Sequence, residues 1–166
     1  MLFMFFFPAW VLQVSAEQPS NVYVTWENME IDKCASAWLI KRFVDKSATF
    51  RFYPKGKLMP EGIPFDVPQA EIRRYHNMAA FEFILHKYDI DDQVLQNIGK
   101  IIHDIEINYW GRKRYEESKK INKMFQKIMD SSNSTEECLE RGLTLFDSLY
   151  STIIKSPFET GEGKKD

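Results

Sequence analysis

The sequence predicts an α+β domain that is mostly helical: about five helices and a small two- or three-stranded sheet near the N-terminus. Three observations carry that expectation. Short alternating runs rich in Val, Tyr, Thr and Phe occur only in the first third of the chain. Four long segments with apolar residues at helical spacing follow them. Between the two halves lies a loop punctuated by Pro54, Gly56, Pro60, Gly62, Pro64 and Pro68.

Residues 21–26, NVYVTW, alternate and form the first predicted strand. Residues 31–45, IDKCASAWLIKRFVD, form the first predicted helix, with Ala35, Trp38, Leu39 and Phe43 as its apolar stripe. Asp32 sits where a carboxylate favours a helix N-terminus. Residues 49–53, TFRFY, alternate as a second strand. Ile63, Pro64, Phe65 and Asp66 read as an apolar plug with an acid attached. Residues 71–75, EIRRY, read as a third strand, with a helical start as the alternative. Residues 78–88 carry Phe81, Leu85 and Tyr88 on one face. Residues 92–108 carry Val94, Leu95, Ile98, Ile101, Ile102 and Ile105. Residues 115–129 carry Ile121, Met124, Phe125 and Ile128. Ser134 and Glu137 form a capping-box pattern that opens the last helix, which runs through Phe146 and Leu149 to Ile153. Gly142 lies on its packed face, at about 1 kcal/mol against Ala, and fits there if another element crosses closely. Residues 156–166 read as a disordered polar tail.

The 166 residues suffice for one domain with a real core, and neither a repeat nor a domain boundary is visible. The net charge of −2 gives no general argument for nucleic acid or an anionic membrane. The first 16 residues hold no charged side chain. Their apolar run is shorter than the ~20 residues a membrane span needs. Val14, Ser15 and Ala16 place small or short side chains where a signal peptidase cuts. Residues 1–16 therefore read as a signal peptide cleaved after Ala16, with a retained anchor as the alternative. The mature domain would then be periplasmic or secreted. Cys34 and Cys138 are the only cysteines, and their spacing is no metal-ligand pattern. Either a disulfide or two unpaired helix thiols fits them.

Arg42 breaks the pattern of the first helix. It stands i+4 from Trp38 and points into the apolar stripe, so it is expected buried beside a carboxylate or an anion. As an anion site, it would offer a planar fork near Asp32, with Lys33 as a second cation. Arg73 and Arg74 would join if the third strand lies beside the helix. As a structural pair, Arg42 would lock onto Asp66, Glu71 or Asp147. A second constellation is His103 with Glu106, at i and i+3 on one helix flank. With Glu71 and Asp147 these would suit a divalent ion such as zinc, iron or manganese, in a metal-dependent enzyme. Solvated or purely structural charges, as in a partner-binding module, are the bland alternative. No glycine-rich phosphate loop or nucleophile elbow is present.

The runs DKCASAWLIKRFVD, ATFRFYP, GIPFDVPQAE, AFEFILHKY, IGKIIHDIEI and LERGLTLFDSLY together resemble the C-terminal domain of ChrB-type chromate-resistance proteins. The motifs fall in the family's order over residues 24–153. The resemblance implies a domain over residues 17–155 with a role in chromate tolerance, as an exported single-domain form and not a DNA-binding one. The partner it implies is a small oxyanion such as chromate, a tetrahedral dianion. The shared charged landmarks are Asp32, Lys33, Arg42, Asp66, Glu71, His103, Asp104, Glu106 and Asp147. The chain departs from the family at Ser36 and Ala37, where a Cys-Pro pair is common. It departs again at Arg74, where many have His, and at Ala79, where many have Cys. A thiol route for reducing chromate would lack its natural residues here.

Overall fold

A computed structural model describes residues 21–156 apart from Pro60 and Tyr109. The proposed signal segment and the tail beyond residue 156 lie outside the described residues. Strand β1 (Val22–Trp26) leads into helix α1 (Ile31–Leu39), which continues as a π-helical turn over Ile40–Val44. Strands β2 (Thr49–Tyr53) and β3 (Ile63–Pro64) come next, then helices α2 (Ala80–Lys87), α3 (Gln93–Glu106), α4 (Glu116–Ser131) and α5 (Thr135–Lys155). The expected architecture holds, five α-helices and a three-stranded sheet. No helix among the described residues is long and apolar enough to cross a membrane.

The sheet is parallel throughout, in the order β2-β1-β3. Parallel neighbours need a crossover, and α1 supplies it between β1 and β2. The third strand is Ile63–Pro64, not the run 71–75. Ile72 and Tyr75 make only single bridges, to Phe65 and Met78. Pro64 has no N–H to give, which suits the short edge position that β3 takes. Gly62 precedes it at φ +115°, and a Cβ there would meet Val24 Cγ1 at 2.5 Å. Only glycine lets the returning loop pass so close to β1.

All nine residues of α1 are buried, charged ones included. Helices α2, α3 and α5 pack around it. Trp38 meets Phe146 at 5.7 Å and Phe81 at 6.5 Å between ring centroids. Each large apolar side chain buried in this way contributes roughly 1.5–3 kcal/mol. The π-turn, closed by Asp45 N–H onto the Ile40 carbonyl, adds a residue to the helix and shifts the facing of its last side chains. Arg42 accordingly leaves the stripe and is exposed, which corrects the expectation of a buried guanidinium.

Two buried aspartates fasten helices to one another. Asp32 accepts from the Ala80 and Phe81 N–H groups at 2.7 and 3.0 Å, capping α2 from another helix. Asp104 accepts from the Arg114 and Tyr115 N–H groups at 2.8 and 3.2 Å, just ahead of α4. The remaining caps are local. Asp92 caps α3, and the Ser134 hydroxyl accepts from Glu137 N–H at the start of α5. The Glu137 carboxylate accepts from Asn133 N–H, one position before the residue a capping box would use. Cys34 and Cys138 are both buried and unpaired.

Candidate functional site

In the order β2-β1-β3 the chain leaves β1 to one side and later returns to its other side. Open parallel sheets hold ligands at such a switch point, outside the carboxyl ends of the strands. A cleft of about 580 Å³ lies there. The loop after β1 contributes Asn28 and Glu30, with Trp26 at the strand end. The turn after β2 contributes Lys55, and the loop after β3 contributes Asp66. Arg73 and Arg74 complete its wall, and Lys33 on α1 lies beneath.

Lys33 Nζ donates to the Trp26 carbonyl at 3.0 Å and the Asn28 carbonyl at 2.6 Å. Asp66 Oδ2 stands 3.9 Å from it. Burial lowers the Lys33 pKa, against the pull of Asp66. With two donors on backbone carbonyls and the Asn28 Oδ1 at 3.4 Å, Lys33 holds the β1–α1 loop in place. Asp66 sits in the left-handed region at φ 49°. Burial, and then the charge of Asp32, push its carboxyl up to about 8. Burial raises the Asp32 pKa as well, outweighing the Phe81 and Ala80 N–H bonds.

Arg74 is the hinge of the charged cluster. Its Nη2 pairs with Glu30 at 3.4 Å and also with Glu106. Burial raises Glu106 to about 7, with Arg74 opposing and Asp32 and Glu30 reinforcing the rise. A second cavity of about 680 Å³ lies beyond, and Glu30 and Arg74 line both. Its other walls include Met29, Ile105, Asn122 and Gln126. Arg73 donates from Nη1 to the Pro68 carbonyl at 2.5 Å and lies 4.7 Å above the Tyr75 ring. Lys55 carries no hydrogen bond or ion pair among the described residues.

The residues singled out from sequence fall into separate groups. Asp32, Lys33 and Asp66 are brought together, and Arg73 and Arg74 converge on the same cleft. Arg42 does not join them. It forms a forked pair with Asp147, Nε to Oδ1 at 3.0 Å and Nη2 to Oδ2 at 2.8 Å. Trp38 Nε1 donates to the same Asp147 Oδ1 at 2.7 Å. Glu71 pairs with Lys87 on the surface at 2.7 Å. His103 Nδ1 lies 2.9 Å from Glu82 Oε2. The four proposed metal ligands, His103, Glu106, Glu71 and Asp147, thus each have a different partner. No group of three His, Cys, Asp or Glu among the described residues is placed to hold a metal ion.

Sequence reading missed Trp26, Asn28, Glu30 and Lys55. Their signal was positional: each stands at or just after the carboxyl end of a strand, where ligands of parallel sheets bind.

Fold and cleft define a mostly helical α+β domain with a buried charged cluster at the carboxyl end of a short parallel sheet. The family model described as "ChrB, C-terminal domain" matches residues 23–153, and the chain belongs to that family. A curated relative, Protein ChrB of Cupriavidus metallidurans, is 30% identical over 87 residues. That match covers 51% of this chain and 27% of the relative, so the chain spans only about a quarter of that protein. No solved structure matches. Family membership suggests a chromate-resistance context for the domain.

Proposed function

We propose that the domain binds a small tetrahedral oxyanion, chromate in the family's context, in the cleft at the β1/β3 switch point. One observation carries the reading: the cleft gathers Lys55, Arg73 and Arg74 around a floor whose acid, Asp66, is raised to about 8. The raised pKa favours the protonated Asp66 carboxyl near neutrality, so Lys55, Arg73 and Arg74 face a floor with less negative charge. Guanidinium forks and an ammonium suit the dispersed charge of an oxyanion. Arg74 and Arg73 provide the recognition, Lys55 the mobile charge, and Lys33 the rigid loop beneath.

Titration calorimetry with sodium chromate and sodium sulfate tests this on wild type, Arg74→Met and Arg42→Met. Loss of one charge-assisted contact, about 1.5–3 kcal/mol, weakens Arg74→Met at least tenfold. Arg42→Met binds as wild type, because the fork on Asp147 lies outside the cleft. Unchanged affinity in Arg74→Met would sink the cleft assignment. Weakened binding in Arg42→Met would return Arg42 to the site.

Export is part of the proposal, supported by the uncharged run over residues 2–14 and the short residues Val14, Ser15 and Ala16. N-terminal sequencing of protein purified from its native host should begin at Glu17. A chain that still begins at Met1 refutes cleavage.

A further inference from the structure

The cleft and the second cavity share one wall, and that wall is an ion-pair chain. Arg74 reaches both Glu30 and Glu106 through the same nitrogen, Nη2. Glu30 is well exposed, with 48% of its side chain open to solvent, whereas Glu106 has 12%. Water can therefore screen Glu30 if Arg74 turns away, but it reaches Glu106 poorly.

A doubly charged anion in the cleft competes for the Arg74 guanidinium. We propose, resting on the oxyanion reading above, that binding draws Arg74 off Glu106 and that Glu106 then takes up one proton from solvent. The step forms one O–H bond on the Glu106 carboxylate and breaks none in the protein. The proton comes from the buffer and no electron moves.

The charges around Glu106 favour this outcome. Asp32 on α1 and Glu30 before it add negative charge, while the Asp32 backbone N–H acts the other way. Across the second cavity α4 presents the neutral amides Asn122 and Gln126. On α3 itself, His103 is turned to Glu82. Glu106 already stands near pKa 7 with Arg74 in place, so removing that cation raises it further.

The device links anion affinity to pH. At pH 8 an acid of pKa about 7 is roughly one-tenth protonated, so uptake rises to roughly 0.9 proton per anion. Affinity then falls by up to roughly tenfold per pH unit above neutrality. Asp66 also lines the cleft and titrates in the same range, so its share must be separated from that of Glu106.

Calorimetry of the full chain at pH 8 in bicine and in Tris, neither of them a tetrahedral oxyanion and with different ionisation enthalpies, counts the protons. Sulfate is the first probe, since it remains a dianion throughout and every proton counted belongs to the protein; chromate is the second. The expected result is buffer-dependent heat in wild type, and a clear drop in protons per anion in Glu106→Gln. Asp66→Asn, which leaves Glu106 intact, should keep most of the uptake. If Glu106→Gln does not hold its fold, the pH dependence of wild-type and Asp66→Asn affinity decides. Loss of affinity from pH 7 to pH 9 in both supports the coupling. Binding with equal heat in both buffers overturns the proton step and leaves the oxyanion reading standing. Absence of binding by either dianion overturns both.

Discussion

A guanidinium and a carboxylate in forked contact share one geometry whether wet or dry, but their energies differ severalfold. The Arg42–Asp147 pair has 41% and 46% of its side chains exposed, so water already solvates much of both charges. The pair raises the Arg42 pKa and lowers that of Asp147 mainly through their hydrogen bonds, yet exposure discounts these shifts as stability. Exposed pairs contribute about 0–1 kcal/mol, against the 3–5 kcal/mol lost when a buried pair is broken. Arg42→Met should therefore cost about 1 kcal/mol or less in urea unfolding. Asp147 keeps its bond from the Trp38 indole in that variant, so no acid is stranded. A loss above 3 kcal/mol would mean that the pair behaves as a buried one. Periodicity placed Arg42 on the apolar stripe because it assumes an unbroken α-helix; the π-turn over Ile40–Val44 is what spoils that projection. Asp147 is nevertheless one of the partners that the sequence suggests, since an exposed fork needs a carboxylate as much as a buried one does.

Helices α1 and α5 cross at Gly142. A Cβ built there would lie 2.1 Å from Cys34 Sγ and 3.3 Å from Phe125 Cε2. Helix propensity alone would favour Gly142→Ala by about 1 kcal/mol. The contact with a thiol at 0% exposure reverses the sign, and overpacking of this kind costs about 1–3 kcal/mol. Gly142→Ala should lower the urea midpoint, and adding Cys34→Ala, which removes the clashing Sγ and leaves a Cβ at 3.7 Å, should recover much of the loss. The coupling energy from the double-mutant cycle is the measurement. Additive effects would show that the crossing is looser than the structure has it. Long apolar periods made α3, α4 and α5 legible from sequence, and the glycine on the packed face of α5 already announced a close neighbour. The identity of that neighbour was not legible, because sequence spacing says nothing about which helix crosses. The same limit hid the two aspartate caps. Asp32 and Asp104 act on backbone N–H groups of other elements, and only tertiary structure brings those within reach.

At the scale of the whole molecule the charged groups divide by the direction in which folding moves them, and the division sets the pH of greatest stability. Asp66 and Glu106 are raised, to about 8 and about 7, from ordinary values of 3.8 and 4.5. An acid raised by folding binds protons more tightly in the native state. Its stabilising contribution is complete below the ordinary value and drains away as pH climbs through the folded one. These two groups therefore make the domain less stable from about pH 4 to pH 8. Lys33 works against them, since burial lowers its pKa. Asp147 is lowered by its bond from Arg42. Asp104 is also lowered, because bonds from Asn108, the Arg114 N–H and others overcome the opposing effect of burial. Those two contribute above their ordinary value and lose their contribution as pH falls below it. Stability should peak on the mildly acidic side of neutrality, with Tm at pH 5.5 above Tm at pH 8.5 in calorimetric scans at fixed ionic strength. The Asp66→Asn/Glu106→Gln double variant should flatten the alkaline decline without moving the acid limb. A wild-type Tm that is level or rising between pH 5.5 and 8.5 would mean that these two carboxyls are hydrated in the folded domain. The cleft would then lose the neutral floor that makes room for an anion among its cations.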